Sequence, residues 1–174
     1  MDIRVRRATT ADAEAACSVL RRSITECCVD DHHNDPKALA VWLQNKTPEN
    51  IACWFASPDN FSIVVTSDSK IVGIGLLTAK GVLALCYLFP EVRFKGVGKS
   101  LLSAVESQAM ELGITELCLS STGTAKAFYL RNGFRPNGEP ETGFGIQAFP
   151  LIKPLGANNR FHAPGYARDR KSVV

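Results

Sequence analysis

Two glycines and three cationic residues follow an apolar run near the middle of the chain, in the stretch RFKGVGKS at positions 93–100. Gly96 and Gly98 carry no side chain, so a phosphate group can approach the backbone closely there. The first N–H groups of a helix that begins in this loop have no partner within the helix, and the helix dipole adds positive potential. A strand, a glycine loop and a helix start in this order predict a site for a phosphate group.

The end of this loop, GVGKS, matches the end of the P-loop motif G-x-x-x-x-G-K-[ST], which binds nucleotide triphosphates. That motif requires its first glycine at position 93, where this chain has Arg93. The later apolar segment LCLSS ends in serines, whereas a P-loop enzyme uses an acidic residue to help hold Mg²⁺. We therefore disfavour a nucleotide triphosphatase.

Hydrophobic periodicity predicts the elements that hold the loop in place. The strand at 82–89 is apolar on both faces, which places it in the middle of a sheet. A helix connects it to the strand at 116–119, so these two strands run parallel. The fold class is therefore α/β (α+β), with a mixed, largely antiparallel sheet around a central parallel βαβ unit. Further strands are predicted at 3–9, 61–66, 71–78, 134–136 and 144–152, helices from residues 10, 35, 47, 98 and 122, and loops at 27–36 and 137–143.

Length and composition predict a single domain at 1–155 followed by a basic tail at 156–174, which serves as an arm or a solvated end. The tail holds four cations and one acid, which accounts for the whole net charge of +3. The neutral body argues against a nucleic-acid partner. No apolar run reaches the roughly 20 residues that span a membrane, and the first residues do not resemble a signal peptide. The six cysteines do not have the spacing of a disulfide framework, and we interpret them as reduced. We therefore expect a cytoplasmic protein.

Read from Arg93, the loop has the pattern R-x-x-G-x-G, and a second pattern, A-x-x-F-Y-x-x-x-G-F, occurs in SSTGTAKAFYLRNGF at 120–134. In these motifs, and in their order and separation, the chain resembles the GNAT superfamily of N-acetyltransferases, whose acyl-coenzyme A motif is [QR]-x-x-G-x-[GA]. The predicted order of strands and helices also resembles that family from residue 3 to about residue 155. The resemblance implies acetyl-CoA as co-substrate, and central parallel strands that splay apart between helices on both faces of the sheet.

The resemblance also implies how the pantetheine arm of acetyl-CoA is bound. The backbone of Cys86, Tyr87 and Leu88 would pair with the arm as an added strand would. The central strand must splay from its parallel neighbour to leave room for this arm. Thr122 stands where the family often has Asn or Ser, and its hydroxyl would contact a pantetheine amide.

Backbone N–H groups of the glycine loop would hold the pyrophosphate of the cofactor. Arg93 and Lys99 would add charge near the phosphates, while Lys126, and with it Arg131, would reach the adenosine 3′-phosphate. Position 94 is often glycine in this family, so the bulky side chain here either points to solvent or narrows the entrance. The loop residues concerned are Phe94, Lys95, Gly96, Val97, Gly98 and Lys99.

Acetyl transfer to an amine requires deprotonation of the amine, stabilisation of the thioester oxygen and neutralisation of the departing thiolate. By its motif position, Tyr129 would be the general acid, since a phenol with a pKa near 10 can protonate a thiolate whose conjugate acid is near 8.5. Its side chain is expected about 100° around the helix from the core face that holds Phe128. The alternative to a catalytic role is that Tyr129 is an amphipathic tyrosine at a helix edge. The main-chain N–H of Leu88 would stabilise the oxyanion, unless it makes an ordinary ladder hydrogen bond.

The general base stays open among six residues, Glu26, Asp30, Asp31, His32, His33 and Glu91, with a water chain to bulk solvent as the alternative. Glu26, Asp30 and Asp31 lie where family members place substrate-covering segments, and they would attract a cationic amine. The alternative interpretation of each of these three acids is a solvated surface residue. The cysteines and histidines at 27–33 lack the usual C-x₂₋₄-C spacing of a zinc site, so we predict no metal.

The sequence therefore predicts an acetyl-CoA-dependent N-acetyltransferase, a transferase of the acyltransferase class. It would move an acetyl group to a primary amine of a small molecule or peptide by direct attack in a ternary complex. A homodimer is possible, and no membrane partner is expected. The alternative in another class is a non-catalytic acyl-CoA-binding or regulatory module on the same fold.

Overall fold

The computed structural model describes residues 1–156 and Val174. Of the predicted tail at 156–174, positions 157–173 lie outside the described residues. The strands are β1 (Ile3–Arg7), β2 (Asn60–Ser67), β3 (Lys70–Thr78), β4 (Leu83–Leu88), β5 (Glu116–Ser121), β6 (Arg135–Pro136), β7 (Glu141–Gly143) and β8 (Ile146–Pro154). The helices are α1 (Ala13–Arg22), α2 (Val29–His32), α3 (Pro36–Leu43), α4 (Pro48–Ala56), α5 (Val97–Glu111) and α6 (Gly123–Arg131), with a π-helical turn at Ser23–Cys27 and 3₁₀ turns at Thr10–Asp12 and Pro90–Val92.

The strands form two sheets that meet between β4 and β5. In the first sheet β1, β2, β3 and β4 pair antiparallel in that order, and in the second β8 lies between β5 and β6 and also pairs with β7. Within the described part of the chain, a single parallel bridge joins Val82, the residue before β4, to Cys118 of β5. These features confirm the predicted mixed, largely antiparallel sheet with a splayed parallel βαβ unit at its centre and helices on both faces.

A β-bulge in β4 lies at the point where the two sheets diverge. Leu77 pairs with Leu83, whereas Leu76 pairs with Leu85, so Ala84 is an extra residue in β4. A bulge of this kind bends its strand and increases the local twist. β4 therefore turns away from β5 after the bridge, and its remaining residues face a gap.

Glycines on β3 allow β4 and α5 to pack closely against it. A Cβ atom on Gly73 would lie 2.6 Å from Cδ2 of Leu88, and one on Gly75 would lie 3.0 Å from Cδ1 of Leu101. α5 also buries Leu102, Val105 and Ala109, which recur on one face at helical spacing. The helix that begins at the glycine loop is thereby fixed against the sheet.

The segment at 27–36 contains α2, which corrects the prediction that it is a loop. His32 is buried, and its Nε2 lies 3.0 Å from the carbonyl oxygen of Ile24, while its Nδ1 accepts a 3.0 Å hydrogen bond from the N–H of Asn34. Because a carbonyl only accepts, Nε2 carries the proton. A side chain bonded to the backbone holds this turn together, which is why apolar periodicity does not predict it.

Other element boundaries also differ from the predictions. The first helix follows a 3₁₀ turn capped by Thr9 instead of starting at Thr10, β5 continues to Ser121, and the predicted loop at 137–143 contains β7. All six cysteines are free: Cys17 and Cys28 are buried, Cys27, Cys86 and Cys118 are half-buried, and Cys53 is exposed. No helix in the described ranges is long and apolar enough to cross a membrane.

Candidate active site

The outer edge of β4 presents backbone groups to the gap between the two sheets. Leu88 pairs with Gly73, yet the N–H that bonds to β3 at this point is that of Phe89, which donates to the carbonyl oxygen of Val72 at 2.8 Å. In an antiparallel pair this pattern alternates along the strand. The N–H and C=O groups of Cys86 and Leu88 therefore point away from β3 and into the gap, whereas those of Tyr87 point towards β3.

The opposite wall of the gap is the edge of β5, and Val174 lies against it. The N–H of Val174 donates to the carbonyl oxygen of Ser120 at 2.6 Å, and the N–H of Thr122 donates to the carbonyl oxygen of Val174 at 2.8 Å. These are the two bonds that a parallel strand would make around Ser121. Val174 thus takes the place beside β5 that β4 leaves when it turns away.

The glycine loop closes one end of the gap, and α5 begins from it. Gly96 caps the helix with a φ of 81°, and Phe94 also has a positive φ, of 60°. The side chain of Phe94 is 91% exposed, and the Arg93 guanidinium lies 4.8 Å from the centre of its ring. Phe94 therefore points to solvent, in a backbone conformation that favours glycine, which is the residue that the family often has at this position.

A cavity of about 380 Å³ runs between the glycine loop, the facing edges of β4 and β5, and α6. Its size is that of a small-molecule site. Eleven residues that the sequence analysis assigned to the cofactor or to the chemistry line it, namely Cys86, Tyr87, Leu88, Arg93, Phe94, Gly96, Gly98, Lys99, Thr122, Tyr129 and Arg131. Lys95, Val97 and Lys126 do not line it, and neither do the acids Glu26, Asp30 and Asp31.

Tyr129 is enclosed on α6 instead of lying at the edge of the helix. It is 1% exposed, and its ring meets those of Phe128 and Phe134 edge-on, with centroids 5.2 and 5.4 Å apart. Its hydroxyl is hydrogen-bonded to the Cys86 thiol. Burial is the main cause that raises the pKa of Tyr129 well above its ordinary value. The phenol therefore keeps its proton at neutral pH.

Two of the thiols that line the same cavity, those of Cys28 and Cys86, are also held in their protonated forms. Burial raises the pKa of Cys86 to about 11, although the hydrogen bond from Tyr129 partly opposes this. Burial likewise raises the pKa of Cys28 to about 12. Because the nucleophilic form of cysteine is the thiolate, neither residue is activated as an acyl carrier.

A family model described as an acetyltransferase (GNAT) domain matches residues 29–155, which is most of the chain. The chain belongs to the GNAT family of acetyltransferases. It is accordingly an acyltransferase, as the two sequence motifs predict. A search of curated proteins finds no significant match.

Solved structures share the fold of this GNAT chain at low sequence identity. A PaiA N-acetyltransferase from Thermoplasma acidophilum in complex with coenzyme A is 24% identical, with a TM-score of 0.78 over 89% of this chain and 100% of that one. A GCN5-related N-acetyltransferase from Rhodopseudomonas palustris is 18% identical, with a TM-score of 0.79 over 89% and 97%. The ribosomal-protein-S18-alanine N-acetyltransferase from Escherichia coli is 17% identical, with a TM-score of 0.63 over 93% and 100%.

Three of the four acids that were candidates for substrate binding or base catalysis have other partners in the structure. The Asp31 carboxylate accepts hydrogen bonds from the start of α6, including one of 2.6 Å from the N–H of Gly123. Glu26 lies 2.7 Å from Nε of Arg22, whose Nη2 also lies 2.6 Å from Glu91. Asp30 is exposed on α2.

The cations divide into those that face the cavity and those that do not. Arg93, Lys99 and Arg131 line it and can place positive charge beside an anion. The Lys126 ammonium instead lies 4.3 Å from the centre of the Phe149 ring. Lys95 is exposed on the loop. In the ranges that the structure describes, no group of three or more His, Cys, Asp or Glu residues could hold a metal ion.

The structure adds cavity residues that no motif identified. Cys27 and Cys28 reach it from the end of the π-helical turn, and Val174 reaches it from the end of the sequence. The sequence identifies Cys28 only as a cysteine, because the hydrophobic pattern is the same for a buried thiol and for a thiol that lines a cavity. Val174 has none, because its contacts with Ser120 and Thr122 span more than 50 positions of the chain.

Proposed function

We propose that the protein transfers an acetyl group from acetyl-CoA to a primary amine of a small molecule or peptide, by direct attack in a ternary complex. The observation that carries this proposal is that the Tyr129 hydroxyl, the gap-facing backbone of Leu88 and the glycine loop share one cavity. The loop suits the phosphates, the strand edge suits the amides of the pantetheine arm, and the phenol suits a leaving thiolate.

The binding of acetyl-CoA follows from the two ends of this cavity. Cys86 and Leu88 offer gap-facing N–H and C=O groups to the pantetheine amides, with Tyr87 fixing the strand between them. The hydroxyl of Thr122 already accepts a 3.0 Å bond from the N–H of Ala125, and its own proton is available for a pantetheine carbonyl.

The phosphates of the cofactor are proposed to lie on the glycine loop. The N–H groups of positions 94–99 face them, and Arg93, Lys99 and Arg131 add charge. Lys126 remains a proposed ligand of the 3′-phosphate, for which it must leave the ring of Phe149.

The chemical step forms a bond between the amine nitrogen and the acyl carbon and breaks the bond from that carbon to sulfur. The N–H of Leu88 donates to the thioester oxygen as negative charge develops on it. Tyr129 gives its proton to the thiolate and regains one from solvent. Burial raises the pKa of Tyr129 and so makes it a weaker acid, but burial also raises the pKa of a thiol in this cavity, to about 11 for Cys86, which makes a buried thiolate a stronger base.

Direct attack is favoured over an acyl-enzyme because Cys28 and Cys86, two of the three cysteines that line the cavity, stay protonated. The amine loses its proton to a water chain in the open part of the cavity. This route is preferred because Glu26, Asp31 and Glu91 are bonded elsewhere and none of the six candidate bases lines the cavity.

The acceptor is proposed to enter past α2, whose exposed acid Asp30 favours a cationic amine. A peptide acceptor is consistent with the fold, since one structural neighbour is a ribosomal-protein-S18-alanine N-acetyltransferase. Six free cysteines favour a reducing compartment such as the cytoplasm. Two further statements remain predictions: that residues 1–155 form a single domain, and that the protein is a homodimer.

The test is a CoA-release assay with acetyl-CoA and a panel of amines that includes polyamines, amino acids and peptides with free N-termini. We expect release of CoA that depends on both substrates, with the acetylated amine identified by mass spectrometry. Tight binding of acetyl-CoA with no turnover of any amine would contradict the proposal and favour a non-catalytic acyl-CoA-binding module.

A further inference from the structure

One wall of the cavity is the π-helical turn at Ser23–Cys27, in which α1 continues before α2 begins. Ser23 and Cys27 both line the cavity, and because they are four positions apart they lie on one face of the turn. π-helical turns are rare in proteins and occur frequently at functional sites. Neither sequence motif includes this turn, and the chemical step proposed above does not use it.

His32 fixes the backbone of the turn. Its Nε2–H donates to the carbonyl oxygens of Ile24, at 3.0 Å, and Thr25, at 3.2 Å. The His32 ring is buried and meets the buried ring of Trp42 edge-on, with the centroids 6.5 Å apart. The turn is therefore anchored to the core, and its cavity face is held in a fixed orientation.

The Ser23 hydroxyl is a buried polar group that faces the cavity. Ser23 is only 6% exposed, and it lines the cavity. Among the residues that the structure describes, none is hydrogen-bonded to this hydroxyl. Buried polar side chains in proteins nearly always have a hydrogen-bond partner. The partner of the Ser23 hydroxyl must therefore be a molecule that enters the cavity.

The turn lies beside both elements to which the proposed chemistry assigns a role. Just before it, the guanidinium of Arg22 lies 4.8 Å from the centre of the ring of Phe89, the residue that follows β4. Just after it, the Cys28 thiol lies beside the Thr124 hydroxyl on α6, the helix that carries the proposed general acid. Ser23 therefore faces the region between the end of β4 and the start of α6, where the thioester is proposed to lie.

We propose that Ser23 binds the acceptor substrate, and that its hydroxyl oxygen accepts a hydrogen bond from the amine that attacks the thioester. The inference rests on the proposed function, because it takes the thioester to lie between Leu88 and Tyr129. A neutral primary amine has two N–H groups and one lone pair. An amine that donates one N–H to Ser23 can turn its lone pair towards the acyl carbon, and orientation of this kind lowers the barrier to attack.

The side chains around Ser23 suit the uncharged form of the amine. Cys27, Cys28 and Thr124 offer two thiols and a hydroxyl. No Asp or Glu side chain in the described ranges lines the cavity, whereas three cationic side chains do. Ser23 therefore binds the amine after the amine has lost its proton to water, and it keeps its own proton throughout.

The first experiment compares the full chain with Ser23→Ala in the CoA-release assay, on the amine that reacts fastest with the full chain. Thr25→Ala is the matched control, because Thr25 is exposed on the same turn and does not line the cavity. Circular dichroism confirms that each variant is folded, and calorimetry measures its dissociation constant for acetyl-CoA.

We expect kcat/KM for the amine to fall by about tenfold or more in Ser23→Ala, as for the loss of one hydrogen bond to the substrate. The dissociation constant of acetyl-CoA should stay nearly the same, and Thr25→Ala should behave like the full chain. An unchanged kcat/KM in Ser23→Ala, or a loss that acetyl-CoA binding shares equally, overturns the inference alone. No turnover of any amine by the full chain overturns the proposed function as well.

The second experiment uses the full chain saturated with CoA, so it does not depend on a variant that folds. Two analogues of the same amine are titrated by calorimetry, one with a hydroxyl and one with a fluorine in place of the amino group. The hydroxyl can donate a proton to Ser23, whereas the fluorine has none to donate. We expect the hydroxyl analogue to bind about tenfold more tightly. Equal binding of the two analogues, or tighter binding of the fluorinated one, overturns the inference.

Discussion

The carboxylate of Asp31 accepts a hydrogen bond of 2.6 Å from the backbone N–H of Gly123, the first residue of α6. The same carboxylate accepts bonds from Thr124, at 3.2 Å from its N–H and 2.5 Å from its hydroxyl. Free N–H groups at a helix start favour a negative charge. α2 is thereby attached to the helix that carries Tyr129.

Asp31→Ala should destabilise the fold and disturb the position of Tyr129. We expect a loss of about 2 kcal/mol in the free energy of unfolding, since a charged cap with three donors is removed. We also expect kcat to fall by about tenfold or more, while the dissociation constant of acetyl-CoA changes less. Urea unfolding and steady-state kinetics measure the two effects.

The matched control for this change is Asp30→Ala, the neighbouring and exposed acid on α2. Its unfolding free energy should stay within about 0.5 kcal/mol of the unmodified chain, as for an ordinary surface substitution. Equal stability for both variants would show that the bonds to Gly123 and Thr124 do not hold α2 in place.

Gly98→Ala should weaken the binding of acetyl-CoA without weakening the fold. The added Cβ would lie 3.4 Å from the Phe128 ring and 3.5 Å from Cδ1 of Leu88, inside the cavity. We expect the dissociation constant of acetyl-CoA to rise about tenfold, or ~1.4 kcal/mol. The unfolding midpoint in urea should hold or rise, because alanine favours a helix over glycine by about 0.5–1 kcal/mol.

Gly96→Ala is the companion to that variant and should behave in the opposite way. Its φ is +81° and no atom lies within 4 Å of the added Cβ, so the change strains the backbone without filling the cavity. We expect stability to fall by about 1 kcal/mol and acetyl-CoA binding to change less than in Gly98→Ala. A larger loss of binding in Gly96→Ala would contradict the position assigned to the phosphates.

Lys46→Met should stabilise the protein at pH 7 and lose this effect at high pH. Lys46 is 3% exposed, and burial lowers its pKa from 10.5 to about 8. The unfolded chain binds the proton of Lys46 more tightly than the folded chain does. Below pH 8 both states carry this proton, and the full cost of burying the charge lowers the free energy of unfolding. As the pH rises from 8 towards 10.5 the folded protein is no longer charged at Lys46, and this cost disappears. The Lys46 ammonium donates a 2.7 Å hydrogen bond to Oδ1 of Asn45 and lies 4.9 Å from the centre of the Phe144 ring, and no carboxylate is among its described partners.

The expected gain for Lys46→Met at pH 7 is on the order of 2 kcal/mol, after the loss of the contacts of the ammonium with Asn45 and Phe144. Urea unfolding of both proteins at pH 7 and pH 10 measures it. Lys80→Met, at an exposed turn position, is the control and should show no such dependence on pH. A gain that is the same at both pH values would contradict burial as its cause.

The glycine loop and the helix of Tyr129 are predictable from sequence because they depend on local patterns. Gly96, Gly98 and the A-x-x-F-Y segment are short motifs with a fixed relation to the elements around them. The two-sided apolar strand before the loop likewise predicts a central position in the sheet. The fold and the acyltransferase class follow from these features together.

The rest of the site depends on contacts between distant residues. No local pattern brings Asp31 to Gly123 or Val174 to Ser120, since each pair is joined only by tertiary packing. The bulge at Ala84, which turns β4 away from β5, is also set by register between strands. The burial of Tyr129 follows from the same cause, because Phe134 and β4 cover a flank of α6 that periodicity leaves open.

The most direct measurement is a comparison of the full chain with Tyr129→Phe on the amine that reacts fastest in the CoA-release assay. If Tyr129 protonates the leaving thiolate, kcat should fall by about 100-fold or more, while acetyl-CoA binds with nearly the same dissociation constant. An unchanged kcat, with acetyl-CoA still bound, would contradict the role of Tyr129 as the general acid of acetyl transfer.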